Sequence, residues 1–236
     1  MRAFIIFVLS LFFVTISVSP VEASLVTISS SGGISINVLG EHVDKEVNVS
    51  KIAIADNSEK DKVFFSREDN SVKLSVVTEN GEETLEVTDF GDDLVEIESR
   101  PDTERVVIGI DGNNYTLTQG NLKTSTDFDI SIDPENARLS LATPQGIRFV
   151  SVFPKDATDL LLKSKTFSNL SEDNPIRIVE NEDGFLTYEV VGIKNINVLN
   201  LIDLPIEITG YVSTSTGEIV SVDQPVWLPI AEYLFS

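Results

Sequence analysis

Apolar and polar residues alternate along most of this chain. Ile34, Ile36 and Val38 are spaced by polar residues, and so are Val72, Leu74 and Val76. The pattern recurs at Leu94-Val95-Glu96-Ile97, at Tyr115 and Leu117, and at Phe128, Ile130 and Ile132. Period two puts one face of an extended strand against a core and the other in water, whereas a helix repeats near about 3.6 residues. Between these runs lie Ser31-Gly32-Gly33, Asn80-Gly81, Gly91-Asp92-Asp93 and Asp111-Gly112-Asn113. Such residues tolerate the positive φ of tight hairpin turns. Strands joined by short turns predict antiparallel sheet across residues 24–135.

Residues 136–236 read differently. A strand over 146–152 leads to Pro154-Lys155-Asp156, which opens a helix because proline is tolerated in a first turn. Ala157, Leu160 and Leu161 share one helical face. Strands are expected again over 176–179, 185–191 and 206–213, and Thr216-Gly217 marks the tip of a final hairpin. The fold class predicted is mainly β with antiparallel sheets: an all-β part at 24–135 and a small α+β part at 136–236 with one short helix. The boundary is placed near Asp133-Pro134-Glu135, with continuous packing across it as the alternative. No repeat of fixed period is visible.

The N-terminal residues break the alternation. Arg2 supplies one positive charge, residues 3–18 are almost wholly apolar, and Pro20 ends the run. Val21 and Ala23 then precede Ser24 at the −3 and −1 positions of a cut. This order of charge, apolar core and small-residue site reads as a secretory signal peptide, residues 1–23, cleaved between Ala23 and Ser24. A retained anchor is the alternative reading, although a spanning helix needs about 20 apolar residues. Export to the cell surface or beyond is therefore expected.

Composition sharpens that picture. The 236 residues are 42% hydrophobic and 8% aromatic, enough for a packed core rather than a disordered chain. Cysteine is absent, so disulfides and thiol-linked lipids are excluded and stability must come from the core. A cysteine-free exported protein tilts toward a bacterial setting. The net charge of −21 repels phosphate backbones and anionic membrane surfaces. Nucleic acid is not an expected partner, and a membrane is one only if the N-terminal segment is retained. The expected partner is a protein or cell-envelope component of unknown identity.

Motifs for chemistry are scarce. With no cysteine and one histidine, His42, zinc centres built on several Cys or His ligands are excluded. His42 is also the sole possible base of a Ser-His-Asp triad, and no Gly-x-Ser-x-Gly turn accompanies it. Glycine-rich phosphate loops are missing as well. No catalytic or cofactor-binding residue and no cofactor are therefore expected. Asp127, Asp129 and Asp133 would share one strand face, and calcium takes carboxylate oxygens. Same-face neighbours stand about 6.6–6.8 Å apart, however, too far to share an ion unaided, so a solvated sheet face is the plainer reading. Asp89, Asp92 and Asp93 form a second acidic group with the same reading. In the C-terminal tail, Trp227 reads as a core anchor for an apolar segment folded back on the body.

Two stretches carry a resemblance. Ser140-Leu141-Ala142-Thr143-Pro144-Gln145-Gly146, continuing to Pro154-Lys155-Asp156-Ala157, and Val212–Val220 with Gln224-Pro225-Val226-Trp227, resemble a family of exported bacterial β-rich proteins of unassigned activity. The helix, the following strands and the Thr216-Gly217-Glu218-Ile219-Val220 hairpin are also similar to a PepSY-type module, with Ser213 where such modules usually carry Asp. That second resemblance implies a part in holding a secreted peptidase in check. The expectation is an exported, non-enzymatic β-rich protein with a structural or binding role. The alternatives are a PepSY-like peptidase regulator and a hydrolase using two of the many carboxylates.

Overall fold

The computed structural model describes residues 24–36, 61–68, 71–91, 93–101, 104–171, 176–198 and 202–235. Residues 1–23, His42 and Asp92 lie outside them. The chain runs through β1 (Val26–Ile28), β2 (Ile34–Ile36), β3 (Lys62–Glu68), β4 (Ser71–Thr78), β5 (Gly81–Glu86), β6 (Val95–Ile97) and β7 (Val106–Asp111). It continues through β8 (Asn114–Gln119), β9 (Leu122–Thr126), β10 (Asp129–Asp133), β11 (Arg138–Thr143), β12 (Gly146–Val150) and α1 (Pro154–Lys163). Then come β13 (Asn169–Leu170), β14 (Ile176–Glu180), β15 (Leu186–Val198), β16 (Ile202–Ser213), β17 (Ile219–Asp223) and α2 (Leu228–Phe235).

These strands form two sheets. The larger has the order β17-β16-β15-β14-β9-β8-β7-β6-β1-β2, with β13 also on β15; the smaller is β12-β11-β10-β3-β4-β5. The protein is mainly β and its pairings are dominantly antiparallel, as the alternation implies. Among the described residues two pairings are parallel, β1 with β6 and β9 with β14. Both join strands distant in sequence, which short-range periodicity does not report.

The sheets meet through their alternate apolar residues. Val63, Leu74, Ile130 and Leu139 of the smaller sheet and Val95, Ile108 and Leu117 of the larger are fully buried in one cluster. Phe65 and Tyr115 touch across it, with ring centroids 5.4 Å apart. Each such side chain contributes about 1.5–3 kcal/mol when taken from water. Both sheets draw strands from either side of residue 135. The turn at 134–137 joins β10 to β11 inside the smaller sheet, and β14 pairs with β9 inside the larger.

Helix α1 begins at Pro154 as its sequence predicts and buries Ala157, Thr158 and Leu161. It packs against β15 and β16, where Gly210 leaves room for its Leu161 and Gly192 for Phe167, which follows the helix. A Cβ at Gly192 would stand 2.4 Å from the Phe167 ring. These two glycines are there for close approach, a role that isolated strand glycines often have.

The smaller sheet contains a duplication that its sequence does not announce. Strands β3-β4-β5 and β10-β11-β12 are two antiparallel meanders placed back to back, with β3 and β10 paired at the centre. Lys73-Leu74-Ser75 answers Arg138-Leu139-Ser140, and Thr78 and Gly81 answer Thr143 and Gly146, each at an offset of 65 residues. Both outer hairpins close with two turn residues between Thr and Gly. In each, the Thr hydroxyl donates to the Gly carbonyl and accepts from the second turn residue's N–H. Both glycines have positive φ, 142° at Gly81 and 119° at Gly146. The same offset relates the Glu68–Lys73 ion pair to Asp133 and Arg138. The register setting Phe64 opposite Ser131 extends to place Phe65 opposite its own equivalent, Ile130, as a local two-fold axis requires.

The C-terminal tail docks differently from its expected mode. Leu228, not Trp227, is its buried anchor. Trp227 is 46% exposed. The reason is local: α2 starts at Leu228, so helical spacing turns Leu228 and Ala231 toward the apolar cluster and leaves Trp227 and Ile230 outside.

Candidate functional site

The best-organised polar cluster joins the two sheets. Tyr115 is fully buried, and its hydroxyl donates to Asp129 Oδ1 at 3.0 Å. The Arg67 guanidinium lies 5.1 Å from the Tyr115 ring centroid and donates to the Asn113 carbonyl at 2.7 Å. Burial pushes the Tyr115 hydroxyl well above its ordinary range, and the Asp129 charge pushes it further. Burial also raises the Asp129 carboxyl, against the pull of Tyr115 and Arg67. A proton held this firmly on tyrosine suits a fixed hydrogen bond rather than acid–base exchange. The cluster reads as a lock between sheets.

The calcium candidates are not brought together. Asp127 is exposed in the bend before β10, and Asp129 faces Tyr115 and Arg67. Asp133 accepts from the Asn136 N–H at 3.2 Å and from Asn136 Nδ2 at 2.8 Å. Burial alone would raise the Asp133 carboxyl; Asn136 and Arg138 outweigh it and hold the group below its ordinary value. Among the described residues no three Asp, Glu, His or Cys side chains gather as metal ligands. Asp89 lies in a turn and Asp93 in the irregular stretch before β6.

An open depression is lined by Ser99, Glu104, Arg105, Val107, Thr118 and Gly120. Its charges already have partners. Arg105 holds Glu96 through Nε and a terminal nitrogen, both at 2.9 Å, and Glu104 pairs with Lys155. Nearby, the Gln119 side-chain oxygen accepts from the Lys155 N–H at 3.1 Å and so caps α1.

Exposed apolar side chains lie on β16, in the C-terminal tail and on β12, and of these β12 is a sheet edge. β12 borders the smaller sheet, paired only with β11 among the described residues. Its Ile147 and Phe149 are 52% and 53% exposed. The Arg138 guanidinium covers the Phe149 ring at 5.4 Å, and Arg148 lies between the two apolar residues in sequence. Turn geometry also fixes the backbone. The closing pair Thr143 and Gly146 bonds across the hairpin, so the ladder alternates inward at 146, 148 and 150. The N–H and C=O groups of Ile147 and Phe149 therefore point outward along the open edge.

The equivalent edge, β5, is built on the same frame. Gly81, Glu83 and Leu85 bond inward to β4, leaving the backbone groups of Glu82, Thr84 and Glu86 outward. Its exposed side chains are Glu82, Glu83 and Glu86. Periodicity identifies β12 as a strand, but not as an edge; edge position depends on which strands fail to acquire a second neighbour. The chain matches no family model, no curated protein and no solved structure.

Proposed function

We propose that this is an exported, non-enzymatic protein that works by binding, and that β12 is its binding edge. The observation supporting this reading is the coincidence on one strand of backbone groups unpaired among the described residues with exposed Ile147 and Phe149. An open edge can accept an extended segment through main-chain hydrogen bonds, and alternate side chains then set the choice of partner. An exposed apolar edge is otherwise an aggregation hazard. The N-terminal signal-like sequence supports a site of action at or beyond the cell surface.

A photo-crosslinking residue placed at Phe149 in the exported protein, with the exposed Asn113 as control position, tests the reading in intact cells. A discrete adduct at 149 and none at 113 is expected. No adduct at 149 in the exported fraction would overturn it.

A second reading, a PepSY-like peptidase regulator, is supported by α1 packing on β15 and β16 ahead of the β16–β17 hairpin. Inhibition of a secreted peptidase from the same source by the purified chain tests it; unchanged cleavage across a panel of such peptidases removes it.

A further inference from the structure

The binding reading leaves the occupant of β12 unnamed, and the duplicated sheet suggests one. We infer that β12 of one copy pairs with β5 of another, extending the six-stranded sheet from copy to copy. This rests on the reading of β12 as a binding edge.

Three observations carry the inference. First, the strand directions fit. Every pairing in the β12-β11-β10-β3-β4-β5 sheet is antiparallel, so its two end strands run in opposite directions. A copy displaced along the sheet with unchanged orientation presents β5 antiparallel to β12. The spacing is on the order of 29 Å per copy, six strands at ~4.8 Å.

Second, the free backbone groups match. Outward groups at Ile147 and Phe149 meet outward groups at Thr84 and Glu82 when Arg148 stands opposite Glu83. In that register Arg148 and Glu83 share the inner face, while Ile147, Phe149, Thr84 and Glu82 share the outer one.

Third, charge selects this pairing over the symmetric ones. Two β5 edges bonded through Thr84 would set Glu82 against Glu86, and two β12 edges bonded through Ile147 and Phe149 would set Arg148 against Arg148. Like charges directly opposite destabilise a strand pair, and opposite charges support it. A chain of net charge −21 also repels itself at large. The cationic edge of Arg138 and Arg148 is where that repulsion is locally reversed. Because the two contacting surfaces differ, the contact is heterologous and grows into an open filament rather than closing as a dimer.

Phe149→Pro and Thr84→Pro, at equivalent positions of the duplication, each remove an outward N–H and block one edge without taking a backbone donor from the hairpin, although Thr84→Pro also removes the hydroxyl bonded to Ser75. Sedimentation velocity of the mature chain should show species growing beyond dimers over a dilution series reaching roughly 1 mM, the Kd of weak contacts. Each proline variant alone should stay monomeric, and their equimolar mixture should stop at a one-to-one dimer. That mixture also reports that both variants are folded. Arg148→Glu should weaken association by roughly tenfold or more, and adding Glu83→Arg should restore it. A wild-type chain that stays monomeric, a mixture that stays monomeric, or a proline variant that self-associates alone would each overturn the inference. If the Phe149 crosslink forms with a different protein while the purified chain stays monomeric, copy-to-copy pairing falls and the binding reading stands. If there is neither crosslink nor association, both fall.

Discussion

The two borders of the smaller sheet occupy equivalent places in a duplicated fold and carry opposite chemistry. Both hairpins use Thr, two turn residues and a glycine at positive φ. Both inner strands bury leucine on the core side, Leu74 in β4 and Leu139 in β11. Outside that shared frame the halves part. Glu82, Glu83 and Thr84 answer Ile147, Arg148 and Phe149. Packing and turn geometry hold the inner positions alike, because a core side chain or a positive-φ turn tolerates few alternatives. Edge positions face water, so sequence is free to diverge there. Acidic residues keep β5 from pairing indiscriminately, and Ile147 and Phe149 leave β12 ready to pair.

If the halves are equivalent inside, matched substitutions should cost alike. Leu74→Ala and Leu139→Ala, both at fully buried positions, should each lower stability by about 2–5 kcal/mol in urea unfolding. A gap between them larger than about 2 kcal/mol would break the equivalence. Gly81→Ala and Gly146→Ala meet no neighbouring atom, so only backbone strain opposes them. Each should cost about 1–2 kcal/mol, a smaller loss than the leucines and again a matched one. Turns that respond unequally would show that the shared hydrogen bonds are not equally used.

Acid sharpens the comparison at the ends of β10, with the smallest expected effect. Asp133 lies below its ordinary carboxylate value, so its contribution is complete above about pH 4 and is lost as pH falls toward the lower folded value. Asp129 lies above its ordinary value, so the fold prefers it protonated, and its contribution declines as pH rises through about 4 and upward. The stability gap between wild type and Asp133→Asn should therefore shrink in acid. Relative to Asp129→Asn, wild type should lose ground as pH rises. Urea unfolding across that range reads both slopes, and slopes of the same sign would contradict the assigned environments.

Much of the strand pattern was legible because alternation is a local signal. Tyr115, Leu117, Ile130 and Ile132 all turn inward as their spacing implies. The helix at Pro154 was legible for the same reason. What escaped depends on distant partners. The pairing of β9 with β14 joins Thr124 to Ile176, and nothing near either residue announces it. The lengths of β15 and β16 escaped because Pro205 and the glycines interrupt their patterns, while pairing along the whole hairpin carries the strands through. The duplication was masked by the substitution of Pro144-Gln145 for Glu79-Asn80 and by the divergence of the two edges. For the candidate site, Ile147 and Phe149 were visible as strand residues, but their exposure follows from β12 having one neighbour among the described residues. Trp227 misled because size and hydrophobicity favour burial, whereas helix phase gave the inside place to Leu228.

Hydrogen exchange at individual amides tests most directly whether the two edges belong together. At high protein concentration the amides of Ile147 and Phe149 should gain protection together with those of Glu82 and Thr84, and all four should exchange freely on dilution. Protection confined to β12, or rapid exchange at both edges at every concentration, would contradict their pairing across copies.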